Sequence, residues 1–210
     1  MDFDEAMRAA ARLANQAVIR AMGKYRDGFV TDEDDLTGVL IGNLDTTFSN
    51  SSVSDLNGIR WSSSILRHRK GVAAEEKRVG ADMIIHVSLT SPIQIYSKAV
   101  LVQAKRHEPG SLMKSTEHQE LVDQCKKMLA VTPSSFVFDY AKGRMRCGSA
   151  TKVAGSRNMN LYSACDWTSY RFFLELFRCP VGDPNITSAK AIDLPVPTVL
   201  ELKGVGELTR

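Results

Sequence analysis

The sequence predicts a mixed α/β fold in a single domain, with a central sheet flanked by helices. Three observations carry that prediction. Four stretches repeat apolar residues at the three-and-four spacing of a helix, six others alternate or run apolar as strands do, and the two kinds are interleaved along the chain. At 210 residues the chain is long enough to bury a core without disulfides or a structural metal.

The first helix is expected from Asp2 to about Lys24, because Phe3, Met7, Ala10, Leu13, Ala14, Ala17 and Ala21 share one stripe and Gly23 with the Tyr-Arg-Asp-Gly stretch ends it. A second is expected to start near Thr31, whose hydroxyl is placed to cap the first turn, and to continue through Leu36, Leu40, Leu44 and Phe48. After a Ser/Asn-rich loop, Ile59, Trp61, Ser63 and Ile65 alternate as in a strand. Two clearer strands follow, Ala81 to Leu89 and Ile95 to Arg106, joined through Thr-Ser-Pro. A helix capped by Thr116, with Gln119 closing a capping box, carries Leu121, Val122, Cys125, Met128 and Leu129 up to Pro133. Ser134 to Tyr140 and Arg144 to Ala150 form a strand pair about a turn at Lys142 and Gly143, and Trp167 to Phe177 is a late helix. The tail from Ile192 to Leu202 holds one more short strand, interrupted by Pro195 and Pro197.

Composition excludes several classes. With 43% hydrophobic and 24% charged residues the chain is neither disordered, collagenous nor a coiled-coil rod. No apolar run reaches the roughly 18 residues of a membrane span, and the acidic start MDFDEAMRAA is unlike a signal peptide, so a soluble, cytoplasmic protein without membrane contact is expected. Four widely spaced cysteines, Cys125, Cys147, Cys165 and Cys179, offer no C-x-x-C pair and read as reduced thiols in or near the core.

The net charge is only +3, but its distribution is uneven. Between Asp139 and Asp166 there is no acid, while Lys142, Arg144, Arg146, Lys152 and Arg157 fall in that window. A second basic stretch, Arg60 to Arg78, ends on Lys77 and Arg78. Two positive patches on a nearly neutral chain suit a polyanion such as DNA.

The pair of strands from Ala81 to Arg106 holds the chemistry. A turn centred between Pro92 and Ile93 pairs residues whose numbers sum to 185, so Asp82 faces Gln103, with Lys105 two residues on along the same face. Met83, Ile85 and Val87 then point the other way, into apolar packing. Asp82, the Gln103 side-chain oxygen and the Ala104 carbonyl are hard oxygen ligands of the kind Mg²⁺ accepts, and Mn²⁺ is expected to substitute. Beside such an ion, Lys105 is suited to orient or deprotonate a water and to steady charge growing on a phosphate.

The spacing of Gly80-Ala81-Asp82, twenty residues, then Gln103-Ala104-Lys105 resembles the PD-(D/E)XK nuclease superfamily, in its Mrr-like branch, where glutamine replaces the second acid. The resemblance spans about residues 31–140, leaving 141–210 as an extension of the same domain. It implies a restriction-endonuclease-like sheet and a Mg²⁺-dependent DNA endonuclease of restriction or anti-phage defence. A homodimer or larger assembly and an activating partner protein are further implications. A catalytically inactive nucleic-acid-binding or interaction module on the same fold is the alternative.

A further acid in that family comes from an upstream helix. Among Asp32, Glu33, Asp34 and Asp35, helical geometry selects Glu33, which lies within about 20° of Leu40 and Leu44 on the apolar stripe. Glu33 is therefore expected as a catalytic and metal-holding residue beside Asp82, Gln103 and Lys105. Glu76 is a secondary acid, Gln124 matches a glutamine that some branches place near the site, and His107 extends the Lys105 face toward substrate. His86 lies on the Asp82 face but deeper, as a core histidine.

Overall fold

The computed structural model describes residues 2–51, 56–68 and 78–206. Its long first helix, α1 (Phe3–Arg26), begins on Asp2, whose carboxylate accepts the backbone N–H groups of Asp4 and Glu5. Alanines fill its inner face, which lets α2 (Glu33–Ser49) and a later helix approach closely. The cap of α2 is Asp32 rather than Thr31, accepting from the Asp34 N–H at 2.9 Å and the Asp35 N–H at 3.4 Å. A carboxylate at a helix N-terminus gains from the helix dipole as well as from the hydrogen bonds, and the Thr31 carbonyl is engaged by Arg106 instead.

The strands β1 (Ile59–His68), β2 (Met83–Thr90) and β3 (Ile95–Arg106) lead into helix α3 (Ser115–Val131). This helix starts one residue before Thr116: the Lys114 N–H donates to the Glu117 carboxylate at 3.4 Å, so Glu117 rather than Gln119 satisfies the first turn. Strands β4 (Ser135–Ala141) and β5 (Arg144–Ser149) turn about Gly143, whose φ of +80° is costly for any residue with a Cβ. Short helices α4 (Ala150–Gly155) and α5 (Leu161–Ala164) follow, then β6 (Trp167–Thr168) and α6 (Ser169–Arg178). Trp167 thus belongs to the sheet, paired with Cys147, and the Thr168 hydroxyl caps the helix by accepting from the Arg171 N–H.

The tail differs most from its sequence reading. Helix α7 (Ser188–Asp193) takes up Ile192, and strand β7 (Thr198–Gly206) begins only after Pro197, where backbone N–H groups are again available for a ladder. Strand β7 is no appendage. Among the described residues the seven strands run in the order β1-β7-β2-β3-β4-β5-β6, with β7 antiparallel to β1 and parallel to β2.

Both sheet faces are covered. Met83, Ile85, Val87, Val100 and Val102 pack beneath α1, α2 and α6, where Phe48, Trp61, Phe172, Phe173 and Phe177 meet in aromatic contacts. Ala81, Ile84, Ala99, Leu101 and Val137 face α3, α4 and α7. The four cysteines are free thiols, three buried and Cys179 half-buried. No helix among the described residues is long and apolar enough to cross a membrane.

Candidate active site

The β2–β3 ladder has the expected register, from Met83 opposite Val102 to Thr90 opposite Ile95. At its open end the chain bends: the Asp82 N–H donates to the Val102 carbonyl at 2.9 Å, and Asp82 leaves the ladder facing β3. Gly80 permits that approach. Its φ is +75°, and a Cβ there would stand 2.5 Å from the carbonyl oxygen of Gln124 on α3. Any other residue would push the Asp82 segment off that helix.

Asp82 Oδ2 accepts two short hydrogen bonds, from Gln103 Nε2 and from the Ala104 N–H, both at 2.7 Å. The same Gln103 Nε2 lies 3.1 Å from the Ala104 carbonyl oxygen. Gln103 is fully buried, yet its Oε1 has no hydrogen-bond partner. A buried acceptor left unpaired costs about 1–3 kcal/mol. Turning the amide over would bring Oε1 to Asp82 Oδ2 and the Ala104 carbonyl. Only in that turned-over arrangement would Oε1, Asp82 Oδ2 and the Ala104 carbonyl form a set of hard oxygens of the kind a divalent ion accepts; as placed, Nε2 donates to the other two. Among the described residues no three His, Cys, Asp or Glu side chains cluster as a metal site, so one carboxylate, one amide and one carbonyl are the available set.

Lys105 sits beside them, half-buried, with Nζ 3.4 Å from Glu33 Oε1. Of the four acids, the one that helical phase selects is thus the one that meets Lys105. Two contacts hold the start of α2 in place: Arg106 donates to the Thr31 carbonyl, and the Thr37 and Tyr140 hydroxyls are 3.2 Å apart. Burial pushes the Glu33 carboxyl above its usual range, while Lys105 pulls it back. Glu33 is joined to Lys105, whose Nζ donates to Oε1.

Other expected residues separate into those near this end of the sheet and those elsewhere. Gln124 is brought against Gly80, with its own Oε1 buried and unpartnered. His107 is buried rather than presented to substrate: Nε2 lies 3.2 Å from Glu117 Oε1, and its backbone N–H donates to Asp139 Oδ1 at 3.2 Å. His86 is a core histidine between Ser97 Oγ at 2.9 Å and Glu201 Oε1 at 3.2 Å, and burial lowers its pKa. Glu76 and Lys77 lie outside the described residues, and Arg78 is exposed.

The acid-free window does not form one groove. Lys152 is neutralised by Asp166 at 3.1 Å, Arg157 lies in an exposed loop, and Lys142 is an exposed turn residue. Only Arg144 and Arg146 converge, on the ring of Tyr162. In the Arg60 to Arg78 stretch, Arg67 is used structurally, donating to the carbonyls of Ile192, Leu194 and Val196.

Two residues of the site escape a reading of the sequence. The buried Tyr140 hydroxyl senses both Asp82 and Glu33, which push its pKa up along with burial, the main cause. Asp139, paired across the ladder with Lys105 on one side and Arg146 on the other, is almost fully buried with Oδ2 unpartnered. Burial pushes its carboxyl up to about 7. An acid inside a strand that reads as SSFVFDY gives no local sign of this, because period-two alternation names its face but not its neighbours.

No family model matches the chain, and neither a curated protein nor a solved structure does.

Proposed function

We propose that this protein is a Mg²⁺-dependent endonuclease that hydrolyses DNA phosphodiester bonds, in the restriction or anti-phage role that the PD-(D/E)XK resemblance implies. One observation carries the reading: Asp82 Oδ2 and the Ala104 carbonyl converge on the buried Gln103 amide, whose own oxygen is unpartnered, beside a lysine already paired with a half-buried acid. Asp82, the Gln103 Oε1 and the Ala104 carbonyl would hold the ion. Bound there, Mg²⁺ supplies Lewis-acid polarisation of a phosphate oxygen. Lys105 donates from Nζ to the non-bridging oxygen that gains charge as water attacks phosphorus. Glu33, whose carboxyl is raised by burial, takes the proton that the water loses while the bond from phosphorus to the leaving sugar oxygen breaks.

The second reading, an inactive nucleic-acid-binding or interaction module, is favoured by the satisfied state of the same groups: Asp82 holds two hydrogen bonds and Lys105 an ion pair. Incubating plasmid DNA with the protein in Mg²⁺, in Mn²⁺ and in EDTA separates the two. Cutting that requires the metal and vanishes in Asp82→Ala is expected; intact plasmid under every condition leaves the binding module.

A further inference from the structure

Strand β6 covers only Arg146 and Cys147 of β5. The edge at Arg144 and Met145 is left open, and beside it lies a cleft of about 410 Å³. Its walls come from α1, through Asn15, Val18 and Ile19, from Tyr162 and Tyr170, and from Thr168 and Ser169. A volume of this size is that of a small-ligand site.

The cleft gathers two cations. The guanidinium carbons of Arg146 and Arg144 lie 4.3 and 5.0 Å from the centre of the Tyr162 ring. Arg144 Nη1 also donates to the Tyr162 hydroxyl at 3.3 Å, and Arg146 Nη1 to the Cys165 carbonyl at 3.4 Å. Both charges thus fall inside the roughly 10 Å over which ions sense each other at moderate salt. Neither arginine has an ion pair with a carboxylate among the described residues, unlike neighbouring Lys152 with Asp166. Asp139, across the ladder from Arg146, is buried and already accepts the His107 N–H. Two guanidinium forks held against one ring, sensed by buried Asp139 but in no ion pair among the described residues, match the oxygens of a phosphate, which accepts hydrogen bonds bidentately.

We infer that this cleft binds the phosphate of a nucleotide through Arg144 and Arg146, oriented by Tyr162. The apolar side of Val18, Ile19 and Met145 faces the remainder of the ligand. The phosphate has two sources, a polynucleotide strand or a free nucleotide. The row Lys105, Asp139, Arg146 crosses β3, β4 and β5, so Arg146 stands two strand spacings, about 10 Å, from Lys105. A strand crossing that row presents one phosphate to Lys105 and another to the arginines; this link, though not the cleft itself, rests on the nuclease reading above.

The test measures binding in EDTA of a fluorescein-labelled DNA duplex, by anisotropy across a salt series, and of AMP, by calorimetry. The proteins are the parent, Arg144→Gln/Arg146→Gln, and Arg144→Lys/Arg146→Lys. If the strand is the source, the glutamine pair weakens duplex binding at least about tenfold and flattens the salt dependence by about one unit, because the two arginines share one phosphate. The lysine pair then restores the slope but not the full affinity, because charge returns without the fork. If a free nucleotide is the source, AMP binds the parent and loses affinity in the glutamine pair while the duplex does not. Identical binding of both probes by parent and glutamine pair, or binding of neither by the parent, overturns the proposal. A parent that binds through these arginines yet cuts nothing in Mg²⁺ ends the nuclease reading alone. Cutting with no dependence on them ends this one alone.

Discussion

Strand β3 carries a lysine near each end, and the two ends handle the charge in opposite ways. Lys98 is 2% exposed, donates to the Val181 carbonyl at 2.6 Å, and lies 4.7 Å from the Tyr96 ring centre. It has no ion pair among the described residues, and burial pulls its pKa down to about 8. Lys105 is half-buried with Glu33 at 3.4 Å. The first lysine is a long apolar stem with a hydrogen-bonding tip, for which a neutral amine serves as well as an ammonium. The second has a carboxylate partner and follows directly on the Gln103 and Ala104 groups that donate to Asp82. Burial without a counter-charge weakens a lysine's hold on its proton, whereas a carboxylate partner favours the charged form.

The sharpest way to break that comparison is to remove each lysine in turn. Lys105→Ala is expected to slow plasmid cleavage in Mg²⁺ by at least about a hundredfold, and Asp82→Ala to abolish it. Lys98→Met should leave the rate within about twofold, since it fills the same space far along the strand. Equal losses from the two lysine changes would mean that both act through the fold.

The acid opposite Lys105 is the next point of attack. Glu33→Gln is expected to cost about tenfold or more in rate, whereas Asp34→Asn and Asp35→Asn, on the exposed side of the first turn, should change little. Three equal, small effects would reduce Glu33 to a helix-end charge.

Stability against pH sharpens the comparison without any substrate. The unfolded chain holds the Lys98 proton to about its ordinary pKa of 10.4, and the folded chain loses it near 8. Stability should therefore rise between those values, by up to a few kcal/mol, and the rise should vanish in Lys98→Met. Asp139 gives the opposite slope. Unfolded it ionises near pH 4, folded only near 7, so stability falls as pH climbs between them, and Asp139→Asn should remove that fall. Urea melts from pH 4 to pH 10 read both; a parent curve with neither slope would show that these groups are hydrated.

The smallest expected change is Gln103→Glu. A second carboxylate beside Asp82 should tighten Mg²⁺ binding by about tenfold in calorimetry, with cleavage retained or raised. Loss of cleavage with tighter binding would show that the amide N–H, held on Asp82 at 2.7 Å, is what the reaction needs.

Much of the site is written in short-range pattern. A proline-containing turn and alternating apolar residues set the β2–β3 register, and that register alone places Asp82 against Gln103. Helical phase likewise turns Glu33, and not Asp32, Asp34 or Asp35, toward Lys105. Caps were harder to read: Thr31 and Thr116 resemble N-caps as strongly as any residue, and the choice fell to Asp32 and Lys114 through contacts with Arg106 and Glu117. The basic window was legible as charge but not as surface, because Asp166, the acid that bounds it, folds back onto Lys152.

By itself the sequence determined the class of fold, the hairpin with its polar end, and the helix face that carries an acid. These follow from periods of 2 and 3.6 residues, which a chain imposes on its own side chains. Only the tertiary structure decided that β7 lies between β1 and β2, that Asp139 is buried between Lys105 and Arg146, and that Arg144 and Arg146 meet on Tyr162. Each of these depends on which distant segment lies alongside. That choice is made by the burial of whole faces against one another, and a periodicity names the face without naming its partner.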